Sequence, residues 1–205
     1  MEDKFEDRRV RKTKTQLQQT LAKLLVQKPI NKITVKELCD MVDINRSTFY
    51  AHYQDVYELM EQIQNYICES FQDIVNRYPM SDQYMDLQPM ETEMFEFLLK
   101  EEALAQVILC HHGNISFLQE IHKIIMAYFE EHWHKFLPQD TTGKWVYSFH
   151  FVVSGCLGLM QQWLESDRKE TPKEMAAMMS KLISNGIYGL GQSIQMNTPV
   201  SKVAG

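Results

Sequence analysis

The segment TVKELCDMVDINRSTFYAHY, residues 34–53, predicts two short helices joined by a tight turn. Thr34 and Glu37 have capping-box spacing, in which the hydroxyl and the carboxylate each accept a backbone N–H at the helix start. The apolar residues of the first helix then repeat at helical spacing and predict one buried face: Val35, Leu38, Met41 and Val42.

The turn and the second helix follow directly. Asp43 tolerates a left-handed backbone, and Asn45 is a good N-cap for a helix predicted from Arg46 to Tyr53. Phe49 and Tyr53 lie four residues apart and would pack inward. The opposite face would carry Arg46, Ser47, Tyr50, Ala51 and His52. This is helix-turn-helix geometry, whose second helix enters the DNA major groove.

The same residues resemble the DNA-binding segment of tetracycline-repressor-type (TetR) one-component regulators. The match runs over roughly residues 8–60. It is densest at Thr34, Ile44, Arg46, Thr48-Phe49-Tyr50, His52-Tyr53 and Leu59. Two positions differ from the family pattern. Asp43 stands where the family usually has Gly at the turn, and Val56 replaces a Lys that usually touches phosphate.

The net charge of −6 hides an uneven distribution. Residues 8–56 carry ten Lys/Arg against four Asp/Glu, or +6, whereas residues 57–205 carry ten against nineteen, or −9. A basic N-terminal region followed by an acidic remainder is typical of a DNA-binding domain joined to a separate regulatory domain. A solvated charge run remains an alternative for Arg8–Lys14 taken alone.

Roles can be assigned to the candidate DNA-binding residues. Arg46 suits bidentate hydrogen bonding to guanine, and Ala51 leaves room for a thymine methyl. Ser47 and Thr48 can bond a base edge or a phosphate, and Thr34 can hold a phosphate at a helix N-terminus. The resemblance implies phosphate or thymine contacts for Tyr50 and His52, although both could simply pack the motif. Phosphate contacts are also expected from Arg8, Arg9 and Lys12.

The remainder of the chain shows helical periodicity throughout, which predicts an all-α fold. We expect a three-helix DNA-binding domain over residues 1–55 and a helical effector-binding and dimerisation domain over 56–195. Residues 196–205 are expected to form a flexible tail. No apolar run approaches a membrane span and the start, MEDKFEDRRVRKTK, lacks a signal-peptide core, so a cytoplasmic protein is expected.

Small residues in the last two predicted helices indicate close packing. Glycine costs about 0.5–1 kcal/mol in a helix interior, so Gly155, Gly158 and Gly186 suggest a nearby backbone, in the same chain or across a two-fold axis. Spacing alone leaves both open. The resemblance favours the two-fold, since the last two helices of TetR-type proteins usually form the dimer interface. Its predicted residues are Ser154, Gly155, Gly158, Met179, Leu182 and Gly186.

The resemblance also implies an effector pocket among the middle helices. The chain has thirteen Met, which suit a cavity that accepts varied apolar ligands, although most such residues simply fill a core. The predicted pocket residues are Met94, Phe95, Met126, Phe129, Trp133, Phe149 and Trp163. The acidic body favours neutral or cationic effectors.

Other chemistries find little support. Glu131 and His134 form one Glu-x-x-His motif, whereas a di-metal helical bundle needs two. His111 and His112, adjacent at a helix end, make a poor chelate. We find no nucleophile elbow, phosphate loop or catalytic triad, and we expect no catalytic residue, metal or cofactor. The four cysteines lack CxxC spacing and are expected to be free thiols.

The sequence therefore predicts a transcriptional regulator, most simply a homodimeric repressor that binds a palindromic operator in double-stranded DNA. A small-molecule effector would release it. Two alternatives stay open within the class: control by a protein partner, and activation in place of repression. A helical di-metal enzyme is the alternative outside the class.

Overall fold

The computed structural model describes residues 8–79, 86–107, 109, 115–136 and 145–196. Within these ranges every regular element is a helix, which confirms the all-α fold class. The helices are α1 (Arg8–Gln27), α2 (Val35–Val42), α3 (Arg46–Tyr50), α4 (Val56–Arg77), α5 (Gln88–Lys100), α6 (Glu102–Gln106), α7 (Ile115–Phe136), α8 (Trp145–Glu165) and α9 (Pro172–Met196). A 3₁₀ turn, Ile30–Lys32, connects α1 to α2.

Several predicted features lie outside the described residues. They are Cys110, His111, His112 and the tail after Met196. The side chains of residues 115–116, 129, 132–136, 145 and 187–196 lie outside the description as well.

The chain divides into two compact units. The first comprises Met1–Ser70 and Lys100–Leu118. Within it α1 packs against α2 and α6, and α2 packs against α3. Its core is apolar and includes Leu17, Leu21, Leu25, Leu38, Phe49 and Leu59. The domain boundaries at residues 55 and 195 stay predictions.

The second unit comprises Phe71–Leu99 and Gln119–Gly205, and in it α8 packs along α9. Phe95 and Trp163 meet edge to face with ring centroids 5.2 Å apart, and Phe71 meets Phe97 in the same way at 5.8 Å. Such pairs contribute about 0.5–1.5 kcal/mol beyond the apolar area they bury. The aromatic residues thus fix α4, α5 and α8 within this unit.

Side-chain caps mark the starts of α4 and α9. Asp55 Oδ1 accepts the Glu58 backbone N–H at 2.9 Å and starts α4. At α9, Thr171 N–H donates to Glu174 Oε2 at 2.8 Å, and Glu174 N–H donates to Thr171 Oγ1 at 3.3 Å. The bonds from Thr171 to the carboxylate lower the pKa of Glu174. The α5 and α6 helices are separated only by Glu101.

The cysteines and the helix lengths bear on two further predictions. Cys39 and Cys156 are free thiols, Cys68 is half-buried on α4, and Cys110 lies outside the described residues. Burial raises the pKa of Cys156 to about 12, with the Glu91 carboxyl adding to the effect.

No helix in the described ranges is long and apolar enough to span a bilayer.

Candidate nucleic-acid interface

The start of α2 contains half of the predicted capping box. Thr34 Oγ1 accepts the Glu37 N–H at 3.2 Å, as predicted. The reciprocal bond was predicted wrongly, because Lys28 Nζ donates to both Glu37 carboxylate oxygens at 2.6 and 2.7 Å. A cation just past the end of α1 competes successfully for that carboxylate, and the ion pair joins α1 to α2.

The turn adopts the predicted left-handed conformation at Asp43, with φ 58° and ψ 52°. Asn45 occupies the N-cap position of α3, but its side chain makes no capping bond, so that role was predicted wrongly. Its main-chain carbonyl instead accepts from Thr48 N at 2.9 Å and Phe49 N at 3.3 Å. Backbone bonds therefore start α3.

The recognition helix is shorter than predicted. α3 ends at Tyr50, and the chain turns through Ala51 and His52 where a helix to Tyr53 was expected. The His52 and Tyr53 amides both bond to the Phe49 carbonyl, at 2.9 and 3.0 Å. The tighter turn places Tyr53 in the core, where it is 2% exposed beside Phe49. The core roles of Phe49 and Tyr53 are confirmed.

The opposite side of the motif faces outward. Arg46, Ser47 and Ala51 are exposed, Tyr50 is 57% exposed, and Thr48 and His52 are half-buried. Thr34 is exposed at the start of α2. Among the described residues, the Arg46 side chain has no hydrogen bond or ion pair. The polar groups predicted to read DNA are therefore exposed or half-buried, whereas Phe49 and Tyr53 of the same motif are buried in the core.

Met41 differs from the sequence prediction. It was expected on the inner face of α2, yet it is 54% exposed, and Cys39 is buried in that face beside Leu38. Burial raises the pKa of the Cys39 thiol; Asp40 adds to this shift and Arg46 opposes it. Cys39 therefore acts as a small neutral core residue.

Basic side chains continue along the start of α1. Arg8, Arg9 and Lys12 are exposed, as a phosphate-binding surface requires. They lie in the same unit as α2 and α3. Residues 8–56, which contain the helix-turn-helix, thus carry the excess of positive charge.

The predicted dimer surface is largely open. Ser154, Gly155, Gly158 and Gly186 are exposed, and a methyl group built on any of these glycines meets nothing within 4 Å in the described chain. The glycines are thus not required by packing within the subunit. Leu182 is 63% exposed, whereas Met179 is 3% exposed and packs within its own chain. The role of Met179 at an interface stays a prediction.

Two exposed aromatic residues extend this surface, and sequence reasoning missed them. Tyr147 and Phe151, one turn apart on α8, are 78% and 80% exposed. An apolar groove of about 450 Å³ runs between α8 and α9 beside Phe151, Gly155 and Leu182. Exposed aromatic residues along an apolar groove are typical of an association surface.

The predicted effector residues lie within the second unit. Met94, Phe95, Met126, Phe149 and Trp163 are buried, whereas the side chains of Phe129 and Trp133 lie outside the description. The Trp163 indole N–H donates to the Glu170 carbonyl at 3.0 Å. The buried residues form core packing, and their role in binding an effector stays a prediction.

Metal ligands do not converge within the described ranges, where no three His, Cys, Asp or Glu side chains form a candidate site. Glu131 is exposed, and the His134 side chain lies outside the description. One histidine pair was missed, because its members are distant in sequence. His122 Nε2 and His150 Nδ1 lie 2.7 Å apart and link α7 to α8.

Comparison with known proteins agrees with this architecture. Residues 85–185 match the TetR-type family described as "Transcriptional regulator C-terminal region". No curated protein matches the sequence. The family match lies entirely outside the helix-turn-helix, so it is independent of the resemblance found there.

Solved structures share the fold at low sequence identity. NalD of Pseudomonas aeruginosa, described as the secondary repressor of the MexAB-OprM multidrug efflux pump, has a TM-score of 0.63 at 17% identity, covering 88% of this chain and 98% of its own. A TetR transcriptional regulator from Streptococcus agalactiae 2603V scores 0.56 at 17%, with 86% and 96% covered. The dihydroxyacetone kinase operon activator DhaS scores 0.53 at 16%, with 86% and 96% covered.

A helix-turn-helix head and a helical body together define a one-component transcriptional regulator. Residues 85–185 belong to the TetR-type family of regulator C-terminal regions, in agreement with the resemblance seen in residues 8–60.

Proposed function

We propose that the protein is a homodimeric repressor that binds a palindromic DNA operator and is released by a small-molecule effector, in the cytoplasm. The observation that carries the proposal is the outward face of α3, where Arg46, Ser47 and Tyr50 are accessible while Phe49 is buried. A recognition helix needs this division between groups for DNA and groups for the core.

The exposed residues divide by role. Arg46 is proposed to read a guanine, because its five N–H donors match the O6 and N7 acceptors in the major groove. Thr34, Ser47, Thr48, Tyr50 and His52 are proposed to contact phosphates or base edges, with Ala51 near a thymine methyl. Arg8, Arg9 and Lys12 would neutralise phosphates and add affinity without sequence preference.

Fluorescence anisotropy tests the DNA-reading role, with an operator selected from genomic fragments and a random duplex of equal length. We expect Arg46→Ala to lose about 1–3 kcal/mol on the operator and much less on random DNA. Lys23→Ala is the matched control, since Lys23 is an exposed cation on α1 outside the motif. Equal losses on both duplexes would show that Arg46 only positions the helix.

Neutralising Arg8, Arg9 and Lys12 should act differently. Binding to both duplexes should weaken together, and the log–log salt dependence should flatten by about 0.9 for each phosphate that the variant no longer neutralises. An unchanged slope would remove α1 from the interface.

Pairing of two chains is proposed through α8 and α9. Tyr147, Phe151 and Leu182 leave apolar area in water that a second copy can bury, and the open space at Gly155 and Gly158 permits close approach. A two-fold dimer also presents two recognition helices to two half-sites about 34–36 Å apart.

Effector release is proposed to act through α4. This helix is continuous from Val56 to Arg77 and belongs partly to each compact unit. An effector that favours one position of α4 would change the spacing of the recognition helices. Coupling of this kind is typically about 1–3 kcal/mol, so operator affinity should fall roughly 5–150-fold, and DNA must weaken the effector equally. An effector that binds the protein but leaves operator affinity unchanged would contradict the proposed release.

One observation supports activation of transcription in place of repression. DhaS, one of the similar folds, is described as an operon activator, so activation is the second candidate. A reporter fused to the selected operator separates the two, because deletion of the regulator raises expression for a repressor and lowers it for an activator.

A further inference from the structure

Two histidine side chains from different helices meet in the second unit. His122 Nε2 on α7 and His150 Nδ1 on α8 lie 2.7 Å apart, and the two ring planes are inclined by only 18°. His150 is exposed and His122 is half-buried. The pair is thus accessible from solvent while two helices hold it in place.

The two rings form a ligand set made of nitrogen alone. Within the described ranges no third His, Cys, Asp or Glu side chain joins the pair. The acid nearest to His122 in sequence, Glu120, is paired with Lys123 at 2.9 Å. Imidazole nitrogen suits Zn²⁺, Cu²⁺ and Ni²⁺, whereas Mg²⁺ and Ca²⁺ prefer oxygen ligands. The pair therefore fits a transition metal ion.

The separation of the two nitrogens indicates which coordination geometry fits. Metal–imidazole bonds are about 2.0–2.1 Å long, so two such nitrogens are about 2.8–3.0 Å apart at a right angle and about 3.3–3.4 Å apart at a tetrahedral angle. The observed 2.7 Å lies close to the right-angle value. Right angles are typical of the tetragonal coordination of Ni²⁺ and Cu²⁺, whereas Zn²⁺ prefers tetrahedral sites.

Metal binding would replace the hydrogen that the two rings share. One ring donates its N–H to the other, so the donor ring must carry its proton on its second nitrogen before both facing nitrogens can act as ligands. A rotation of each ring then directs both lone pairs to one point. The two neutral rings neither gain nor lose a proton overall, and water fills the other positions of the ion.

We propose that His122 and His150 form a two-histidine site for a divalent transition metal ion of tetragonal geometry, Ni²⁺ or Cu²⁺. The bound ion links α7 to α8 within one chain. This site is additional to the proposed operator and effector functions and does not depend on them.

Calorimetry at pH 7.5 on the untagged full-length protein, first stripped with EDTA, tests the proposal. Ni²⁺ is the probe, because Cu²⁺ also oxidises thiols. We expect one Ni²⁺ per chain in the tightest step and no binding of Mg²⁺ at the same concentration. Ni²⁺ should also raise the melting temperature, because an ion that prefers the folded state stabilises it. Binding to scattered histidines also occurs in the unfolded chain and would not raise it.

Variants locate the site. His122→Asn and His150→Asn each remove one ligand, so the affinity for Ni²⁺ should fall at least tenfold, given that even an outer-shell partner typically contributes about 10–100-fold. Both variants should lose the rise in melting temperature. His134→Asn is the matched control, since it removes a histidine of the Glu131-x-x-His134 sequence, and it should bind Ni²⁺ within twofold of the wild type.

Carbethoxylation of histidines, read by mass spectrometry, needs no variant. In the wild-type protein Ni²⁺ should protect His122 and His150 and leave the reactivity of His52 unchanged. Three results would overturn the proposal: the wild type does not bind Ni²⁺, both His122→Asn and His150→Asn bind it as tightly as the wild type, or other histidines are protected in place of this pair.

Discussion

Glu91 places an acid inside a helical core, and the stability of the protein should depend on pH as a result. A carboxyl whose pKa is raised from 4.5 to about 8 keeps its proton in the folded state. Its contribution is complete below pH 4.5 and is lost as pH rises towards 8, because the unfolded chain ionises first.

Glu91→Gln should therefore stabilise the protein more at pH 8 than at pH 5. The full shift corresponds to about 5 kcal/mol. We therefore expect the difference in unfolding free energy between Glu91→Gln and the wild type to change by about 3–5 kcal/mol from pH 5 to pH 8. Urea unfolding at the two pH values measures it. Glu96→Gln, an exposed neighbour on α5, is the control and should follow the wild type. Parallel profiles for wild type and Glu91→Gln would show that the acid is not buried in solution.

Asp43 is the second residue expected to lower the stability of the folded protein. Its φ of 58° is a conformation that glycine adopts freely and other L-residues adopt with strain. We expect Asp43→Gly to raise the free energy of unfolding by about 0.5–1 kcal/mol. Asp40→Gly, the same change inside α2, should instead lower it, by about 0.3 kcal/mol, because glycine has a poorer helix propensity than aspartate. A decrease at both positions would mean that the Asp43 side chain stabilises the turn.

Local features of the fold were predictable at this scale, and distant contacts were not. The left-handed Asp43 and the Thr34 cap of α2 depend on residues within four positions. The Lys28–Glu37 pair spans nine residues and depends on the angle between α1 and α2. The burial of Glu91 depends on how α5 is rotated towards α8 and α9, which helical periodicity does not determine.

At the scale of elements, α7 and α8 are joined by the His122–His150 pair. The ring centroids lie 4.8 Å apart with an interplanar angle of 18°, and the two nitrogens are 2.7 Å apart. These values suit an edge-to-edge N–H···N hydrogen bond, because parallel stacked rings would not bring two ring nitrogens so close. One ring must donate and the other accept, so protonation of both breaks the bond.

This pair should weaken as the solution becomes acidic. Burial lowers the pKa of His122, and the neighbouring His150 lowers it further. A lowered histidine pKa gives stability that is present above the unfolded value of 6.5 and lost as pH falls through it.

A double-mutant cycle with His122→Asn and His150→Asn measures the coupling. We expect about 0.5–1.5 kcal/mol at pH 7.5, as for one hydrogen bond, and close to zero at pH 5. Each single variant is the control for the other. A coupling that is the same at both pH values would show that the interaction does not depend on the neutral rings.

At the scale of the whole molecule, the open glycine surface makes dimerisation testable. A methyl group at Gly158 meets nothing within 4 Å in the described chain, so leucine should fit a single folded subunit. If a second copy packs there, Gly158→Leu should shift the dimer towards monomer in sedimentation velocity. Ala127→Leu, an equally exposed small residue on α7, should remain dimeric. A folded Gly158→Leu variant that stays fully dimeric would place the interface elsewhere.

The exposed aromatic side chains of Tyr147 and Phe151 have a consequence for dosage. With the proposed pairing, free chains must meet before two half-sites can be occupied together. Below the dissociation constant of the dimer, the paired species then grows with the square of the total amount of protein. Halving synthesis would cut the concentration of the dimer about fourfold. Occupancy of the operator would therefore depend more steeply on expression level than it would for a monomeric regulator.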